Sequence, residues 1–438
     1  MRHAPTSTHP RRAAPRFAAA LSLILCLAAT TPVAAVPSAS GANAAVITNW
    51  NQIAVTTLAN TVVPPGGSPT HFIYFAITHL AMHNAVNGIT GKFNLYQWDV
   101  HANQSASPEA AAAAAAHRIL SFYFPAQAGP LQGHLDASLA GIPNNARKEG
   151  GIAFGVAAAN HLIELRTGDG RHATVSIPAA VEAGDWRPTP PAFAGFGGTA
   201  WIGGVRPLAL DTYDRFDPGP PPPITGEGSE VYVAEYNEVK AYGKVDSAVR
   251  TSAQTQTALF FSDAGIGPMQ ASLRNLAMSR RLDISDSARL FAAVETSIAD
   301  TAGTIWNAKL QYMWWRPVTA IQMGAMDGND LTVGDATWMP RITTPPYPDW
   351  PSGLCGVVGS VTTALTRIQG MVDLTISSAA AGETRYFATK ADLAGPAVDA
   401  RVWSGIHFRT ADAVSIDIGT NVANYVLDRY FGPAHGAP

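Results

Sequence analysis

Two cations seven residues apart are the first candidates for chemistry in this sequence. Lys309 and Arg316 lie in segment 309–317, which reads Lys-Leu-Gln-Tyr-Met-Trp-Trp-Arg-Pro. On a helix, seven residues span about two turns, so both side chains would project from one face. Pro317 cannot continue the hydrogen-bond ladder and is predicted to end that helix. Cations among aromatic side chains tend to be paired or functional, although the spacing alone is typical of a surface helix.

A serine–glycine pair further along the chain marks a helix start. Ser352 and Gly353 follow a proline-rich turn and precede segment 354–368, which has helical character. Ser352 occupies the position of a helix cap, and the free backbone N–H groups at such a start favour an anion. An ordinary helix cap is the alternative interpretation.

An arginine and a histidine six residues apart complete the set. Arg401 and His407 would lie on different faces of one straight helix, so a bend near Gly405 is predicted to bring them together. A lone histidine in such a segment is more often a hydrogen-bonded core residue.

Together, the three segments contain what is needed to hold a tetrahedral oxyanion such as phosphate or vanadate. Three cations would neutralise its charge, two neutral donors would fix it, and one imidazole nitrogen would bond its central atom. The six residues are Lys309, Arg316, Ser352, Gly353, Arg401 and His407.

The order of these motifs resembles a known signature. The chain has a lysine, six residues and Arg-Pro, followed by Pro-Ser-Gly and then by an arginine, five residues and a histidine. This order is similar to the signature of the vanadium-dependent haloperoxidase and type 2 phosphatidic acid phosphatase superfamily. Segments 81–89, 236–261 and 290–320 further resemble its bacterial vanadium haloperoxidase branch. The resemblance implies an all-α fold of packed helical bundles.

The resemblance also implies roles for the residues of the signature. Vanadate, or phosphate in its place, would be held by Lys309, Arg316, Ser352, Gly353, Arg401 and His407, and His407 would bond the metal. His407, Lys309 and Arg401 would act in catalysis. Hydrogen peroxide and halide would be the partners, with a small organic molecule as a further acceptor. Trp306 and Tyr347 match positions that line the halide side of the pocket.

One residue departs from the family pattern. The pattern continues Pro-Ser-Gly-His, and here Leu354 stands in place of the histidine. That histidine serves the family as an acid–base group, and loss of a general acid typically costs about 10²–10⁴-fold in rate. No neighbouring residue is an evident replacement, and Asp263 could equally be the carboxylate that orients one of the arginines.

Three functions are therefore open at this point. The first is a vanadium-dependent haloperoxidase-like peroxidase, weakened by Leu354 and favouring bromide or iodide over chloride. The second is a phosphatase working through a phospho-His407 intermediate. The third is a non-catalytic homologue that binds an oxyanion. The resemblance favours the first.

The N-terminus predicts export. Residues 1–35 contain four arginines, an apolar run and a cleavage site after Ala35, which is typical of a signal peptide, and Arg11-Arg12 hints at twin-arginine export. The protein is thus expected to be secreted or periplasmic, with no membrane span after cleavage. The mature charge of (29 − 4) − 32 = −7 argues against a nucleic-acid partner. Cleavage leaves one cysteine, Cys355, so no internal disulfide is expected. Oligomer formation is left open.

Helical spacing predicts two helical regions around an irregular middle. The N-terminal region would be 36–225, and the C-terminal region, 226–438, would carry the oxyanion site. Predicted helices cover 47–63, 72–89, 108–123, 145–165, 229–242, 249–261 and 286–315. A turn is predicted at 64–67, and segment 177–225 is expected to be irregular and to pack on the surface. No sheet is predicted, and His79 and His83 are interpreted as packing residues.

Overall fold

The computed structural model describes residues 43–61, 68–263 and 265–434 of the 438-residue chain. These residues lie within one compact unit, Ala42–Pro438. The predicted signal peptide and the predicted turn at 64–67 lie outside the described residues. The boundary between residues 225 and 226 stays a prediction.

The described residues form fourteen helices and one hairpin. The helices are α1 (Ala45–Ala59), α2 (His71–Thr90), α3 (Pro108–Tyr123), α4 (Ala128–Ala140), α5 (Ala146–Leu165), α6 (Gly197–Ala200), α7 (Ser229–Tyr242), α8 (Ser252–Asp263), α9 (Ile266–Ser279), α10 (Ile284–Tyr312), α11 (Pro317–Gln322), α12 (Gly353–Gln369), α13 (Lys390–Trp403) and α14 (Arg409–Arg429). The hairpin pairs β1 (Leu374–Ser378) with β2 (Glu383–Phe387), and short 3₁₀ turns lie between several helices.

Helix α10 is the longest element and crosses the core. It has 29 residues, most of them buried, and it packs against α2, α12 and α14. A helix that is apolar or small around its whole circumference can be buried on all sides. Its last turn therefore delivers Lys309 to the interior of the protein.

The pair α12 and α14 makes the closest helix contact near the site. A Cβ atom added to Gly359 would lie 2.2 Å from the carbonyl oxygen of Ile416, and one added to Gly419 would lie 2.1 Å from that of Gly356. No side chain fits between the two backbones at these positions. Glycine is therefore required for the close approach of the helices.

Most predicted helices are confirmed, with small shifts at their ends. Helix α3 begins at Pro108 as predicted, because the Ser107 hydroxyl accepts a hydrogen bond from Ala110 N–H at 3.1 Å. Helix α7 has the predicted bounds. No helix was predicted at α4, α9, α11, α13 or α14, and internal Gly-Pro pairs obscure the helical pattern of α4 and α9.

Segment 177–225 is largely irregular, as predicted, and most of its residues are exposed or partly exposed, but parts of it enter the core. Trp186, Phe196 and Trp201 are buried in the core. The carboxylate of Asp300 on α10 accepts hydrogen bonds from the backbone N–H groups of Leu208, Ala209 and Leu210, at 2.7–2.8 Å. The long helix thus anchors residues 208–210 of this segment, and their buried backbone N–H groups are satisfied.

The prediction of no sheet misses the short hairpin. Leu374 pairs with Phe387, and alternate residues of β1 are buried. Five-residue strands are too short for their alternation to stand out in a helical sequence. Apart from this hairpin the described part of the chain is helical or irregular, so the all-α class is confirmed. None of the described helices is long and apolar enough to span a bilayer.

Candidate active site

Lys309 and Arg316 come together, but not as the sequence predicts. Helix α10 ends at Tyr312, and Met313 has a left-handed backbone with φ of 42°. Arg316 is the N-cap of α11, and Pro317 is its first residue. The prediction that both cations share one helix face, with Pro317 ending the helix, is therefore wrong. Proline suits the first turn of a helix, and it disfavours helical backbone in the residue before it.

Lys309 is fully buried at the end of α10. Its ammonium group donates to the carbonyl oxygens of Pro348 at 2.6 Å, Asp349 at 3.1 Å and Pro351 at 2.5 Å. Burial lowers the pKa of Lys309 well below its ordinary value, and the nearby Arg316 lowers it further. Because an ammonium group has three N–H donors, all three are used within the protein. Lys309 can therefore act on an anion through its charge rather than through a hydrogen bond.

Arg316 is also fully buried, and two nitrogen atoms of its guanidinium group donate hydrogen bonds to backbone carbonyl oxygens. Nε donates to the carbonyl oxygen of Tyr347 at 2.8 Å, and Nη1 donates to that of Ile406 at 2.7 Å. Nη1 also lies 3.0 Å from Nε2 of His407. Nη2 is buried and has no hydrogen-bond partner among residues 43–61, 68–263 and 265–434. The free Nη2 can donate to a bound group.

His407 is buried beside Arg316 and beside a carboxylate. Burial lowers the pKa of His407 well below its ordinary value, and the cations Arg316, Arg401 and Lys309 lower it further. The imidazole is therefore neutral. Oδ1 of Asp349 lies 2.7 Å from Nδ1, although the two groups are not aligned as a hydrogen bond and neither Asp349 oxygen has a hydrogen-bond partner in the described part of the chain. Nη1 of Arg316 lies 3.3 Å from Nδ1 and 3.0 Å from Nε2, so it can donate to whichever ring nitrogen carries the lone pair.

The bend predicted near Gly405 is confirmed. Helix α13 ends at Trp403, and Gly405 has a left-handed backbone with φ of 79°. A Cβ atom added to Gly405 would lie 2.5 Å from the carbonyl oxygen of Gly243, so glycine is required here. Arg401 lies before this bend and His407 after it. Nε of Arg401 is buried and without a hydrogen-bond partner in the described part of the chain.

Ser352 and Gly353 form the start of α12, as predicted. Ser352 is the N-cap, and Gly353 is the first helical residue. The first N–H groups of a helix lack intrahelical partners and attract anions. Contact with the Ser352 hydroxyl lowers the pKa of Asp412, whereas burial, the larger effect, raises it well above its ordinary value.

Two carboxylates at the site were missed by the sequence analysis. Asp349 contacts His407 and lies 3.5 Å from Nη1 of Arg316, and burial raises its pKa to about 7 against the opposing effects of Arg316 and Lys309. Asp412 accepts a hydrogen bond from Cys355 at 3.4 Å. The sequence feature that could have revealed them is their closeness to the motifs, since Asp349 lies three residues before Ser352 and Asp412 lies five residues after His407.

The suggested role of Asp263 is wrong. Its carboxylate accepts hydrogen bonds from the backbone N–H groups of Ala379 and Ala380 in the hairpin turn. It ends α8 and supports β1 and β2, and the carboxylates beside the buried arginines are those of Asp349 and Asp412.

The packing interpretation of His79 and His83 is confirmed by their contacts. His79 is buried, shares a hydrogen bond with Asn51 at 3.0 Å and stacks on Phe291. His83 shares a hydrogen bond with the carbonyl oxygen of Asn94 at 3.0 Å. Burial lowers the pKa of both rings, to about 3 and about 4 respectively.

A cavity of about 270 Å³ opens beside these groups. Its wall includes Gly353, Leu354 and Arg401, together with Trp306 and Tyr347, whose ring centroids are 5.1 Å apart. The ammonium of Lys309 lies 5.7 Å and 5.2 Å from these two rings. The two aromatic residues expected near the site are thus next to its cations. Leu354 presents a half-buried apolar side chain where the family pattern has an acid.

The arrangement fits an oxyanion. Arg316 and Arg401 each keep a buried N–H group that no described residue satisfies, and unpaired buried donors are costly unless a ligand accepts from them. The amide end of α12 adds donors, Lys309 adds charge, and the neutral His407 offers a nitrogen lone pair.

Comparison with known proteins identifies the architecture. Residues 289–436 match the family model for the VCPO second helical-bundle domain. A crystal structure of the first bacterial vanadium-dependent iodoperoxidase aligns with a TM-score of 0.75 at 20% identity, covering 90% of this chain and 98% of that one. The chain has the vanadium haloperoxidase fold.

Two bacterial vanadium-dependent chloroperoxidase structures share this fold. The holo form aligns with a TM-score of 0.68 at 15% identity, covering 84% of this chain and 92% of that one. The apo form aligns with a TM-score of 0.67 at 15% identity, covering 86% and 97%. No curated protein matches the chain by sequence. The resemblance to the vanadium haloperoxidase superfamily, found from three short motifs, is thus confirmed.

Proposed function

We propose that this protein is an exported, vanadate-dependent haloperoxidase-like enzyme. The observation that carries the proposal is the neutral, buried His407 surrounded by three cations, two of which keep a free buried donor. The vanadium haloperoxidase fold supports it. Export rests on the signal pattern of residues 1–35, and its test is the N-terminal mass of the protein secreted by its source cell.

Each residue of the site has a distinct part in this proposal. Arg316 Nη2, Arg401 Nε and the Gly353 amide would donate to the oxygen atoms of vanadate, and His407 Nε2 would bond its vanadium. Lys309 would balance charge while fixing loop 348–351 through its three carbonyl bonds. Asp349 would hold the tautomer of His407 that leaves Nε2 free. For Nε2 to be free to hold vanadate, Nη1 of Arg316 would have to give up its 3.0 Å contact with that nitrogen.

The proposed reaction oxidises halide with hydrogen peroxide. Bound vanadate would activate peroxide toward attack by halide. The balance is X⁻ + H₂O₂ + H⁺ → HOX + H₂O, so one proton is consumed per turnover. Leu354 cannot supply that proton, and we therefore expect slow turnover with bromide or iodide and less with chloride.

A non-catalytic oxyanion-binding protein is the second candidate. It is favoured by one observation, the leucine at the position where the family pattern places its acid. It would use the same cations and amides and would bind phosphate or vanadate without turnover.

The test combines three measurements on the purified protein. Vanadate binding is measured by calorimetry, bromination of a phenol dye by absorbance with vanadate and peroxide, and phosphatase activity with nitrophenyl phosphate. The proposal predicts vanadate binding and bromination that disappear together in Arg401→Ala. Binding without either reaction would support the second candidate, and nitrophenyl phosphate hydrolysis without bromination would indicate a phosphatase.

A further inference from the structure

The structure contains a second cavity, lined by other residues than the first cavity beside the proposed oxyanion site. Its volume is about 430 Å³, within the range of about 300–1,000 Å³ that is typical of small-molecule sites. Helices α2 and α3, the end of α5 and segment 166–172 contribute to its wall. The proposed function does not involve this space.

Aromatic rings form much of the wall of the second cavity. Tyr74, Phe122, Tyr123 and His172 contribute to it. The ring of Tyr123 packs edge to face against that of Tyr74, with centroids 5.5 Å apart, and against that of Phe122 at 4.9 Å. Phe122 is 46% exposed whereas Tyr74 is buried, so the rings extend from the surface into the protein. A flat aromatic ligand can pack against such rings.

Arg171 is the charged group that two of these rings flank. Its guanidinium carbon lies 4.4 Å from the ring centroid of Tyr123 and 5.6 Å from that of Tyr74. Nε donates to Asp169 at 2.9 Å, and Nη2 donates to the hydroxyl of Tyr123 at 3.1 Å and the carbonyl oxygen of Arg166 at 3.2 Å. Nη1 is buried and has no partner among the residues that the structure describes. A buried donor of this kind is costly unless a ligand accepts from it.

The charges around Arg171 do not balance. Arg166 and Arg171 both pair with the carboxylate of Asp169, at 2.8 Å and 2.9 Å. Asp300 and Arg206 lie near Arg166 and offset each other. Three cations therefore face two anions in this group. Because buried charge is costly without a partner, a ligand with one negative charge would complete the balance.

Tyr123 supplies a second donor next to the guanidinium group. Its oxygen accepts the bond from Nη2 of Arg171, so its own hydrogen points elsewhere and can be donated. Burial raises the pKa of Tyr123, which keeps the hydroxyl protonated at neutral pH. Two donors beside one cation suit the two oxygen atoms of a carboxylate.

We propose that the second cavity binds a small aromatic carboxylate. The carboxylate would accept from Nη1 of Arg171 and from the hydroxyl of Tyr123, and the aromatic part would pack against the rings of Tyr74 and Phe122. Phe122 and Thr167, both at exposed positions, mark the entrance. The proposal is independent of the proposed function, because it needs neither vanadate nor turnover.

The test measures the binding of 2-naphthoate by calorimetry in the absence of vanadate. The wild type should bind 2-naphthoate at least tenfold more tightly than 2-naphthamide, which has the same rings and no charge. Arg171→Gln should lose this preference. Arg147→Gln, at an exposed position near the other end of α5, should keep it. Absence of 2-naphthoate binding to the wild type, or the same preference in Arg171→Gln, would overturn the proposal.

A second pair of variants guards against misfolding of Arg171→Gln. Thr167→Trp places a large side chain at an exposed position of the cavity wall and leaves every bond of Arg171 in place. It should weaken 2-naphthoate binding at least tenfold. Thr174→Trp, which is exposed and outside the cavity wall, should stay within about twofold of the wild type. Equal affinity in the two tryptophan variants would contradict binding in this cavity.

A third comparison separates the second cavity from the first, where Arg401 is also a cation. Arg401→Ala should leave the affinity for 2-naphthoate within about twofold, and added vanadate should not compete with 2-naphthoate. Loss of binding in Arg401→Ala, or competition by vanadate, would place the ligand in the first cavity and overturn the proposal. Displacement of 2-naphthoate by an equal concentration of inorganic phosphate would overturn the preference for an aromatic ligand.

Discussion

Oδ1 of Asp349 lies 2.7 Å from Nδ1 of His407, and both side chains are buried. We infer that the nearby carboxylate favours the tautomer with its proton on Nδ1, because its charge attracts that proton and leaves the lone pair on Nε2. Partners of this kind typically contribute 10–100-fold to metal affinity or activity. The carboxylate also offsets part of the positive charge of Lys309 and Arg316.

Asp349→Ala should therefore weaken vanadate binding about 10–100-fold. Asp349→Asn, which keeps an acceptor oxygen for Nδ1–H, should stay within several-fold of the wild type. Calorimetric titration with orthovanadate measures both, and ¹⁵N NMR of labelled histidine reports the His407 tautomer without vanadate. Unchanged affinity and tautomer in Asp349→Ala would show that the contact has no orienting role.

Lys309 is expected to be a structural residue as well as a charge. Lys309→Met would leave the carbonyl oxygens of Pro348, Asp349 and Pro351 without their buried donor. Each unsatisfied buried group costs about 1–3 kcal/mol, so the free energy of unfolding should fall by about 3 kcal/mol or more. Urea denaturation measures the change.

Lys92→Met is the matched control. Its ammonium group forms partly exposed ion pairs with Asp283 and Asp286. Such pairs contribute about 0–1 kcal/mol. Equal decreases in the free energy of unfolding in the two variants would mean that the three hydrogen bonds from Lys309 to carbonyl oxygens stabilise the protein no more than a partly exposed ion pair does.

Leu354→His should raise bromination turnover by about 10²-fold or more, because it returns a proton donor to the start of α12. The control is Val357→His, which places an imidazole one turn further along the same cavity wall. Steady-state kinetics at saturating vanadate separates the variants. Unchanged turnover in Leu354→His, or an equal increase in turnover in Val357→His, would contradict the inference that the protein lacks a proton donor at position 354.

Glu295 predicts a pH dependence of stability. Burial raises its pKa from 4.5 to about 7, with the bond from Gln270 opposing the rise. Between these two values the unfolded chain releases the proton and the folded protein keeps it, so stability falls as pH rises. Glu295→Gln removes this loss while keeping an acceptor for Gln270.

The Glu295→Gln variant should match the wild type near pH 4.5 and exceed its unfolding free energy by up to about 3 kcal/mol at pH 8. Urea denaturation across this range measures the difference. Glu227→Gln, at an exposed position, should change stability by no more than about 0.5 kcal/mol at either pH. A constant difference between Glu295→Gln and the wild type would show that Glu295 does not titrate as inferred.

The sequence predicts the parts of this protein that depend on local chemistry. The start of α3 follows from Ser107-Pro108-Glu109, and the bend after α13 follows from Gly405, because caps and left-handed glycine act within a few residues. The six residues of the proposed site could be grouped because the motif order resembles a family. The structure brings Arg316 and His407 into contact, and the assignment of the six residues to one oxyanion site stays a prediction.

The remainder depends on contacts distant in the sequence. The break at Met313 places Arg316 at the start of α11, and only the packing around α10 decides between that break and a longer helix. Asp349 and Asp412 could not be assigned to the site from the sequence, because carboxylates near a motif are common. Their burial beside an arginine depends on the tertiary structure. The burial of residues 208–210 likewise depends on Asp300, about ninety residues away.

The glycine contact between α12 and α14 limits how this protein can change. Gly359 and Gly419 lie away from the reacting groups, yet their missing side chains let one helix rest directly on the backbone of the other. A methyl group at either position would wedge the two helices apart, and the amide end of α12 would then move relative to the imidazole held just ahead of α14. Random mutagenesis should thus find loss-of-function changes there as readily as among the arginines, although neither glycine can touch a ligand.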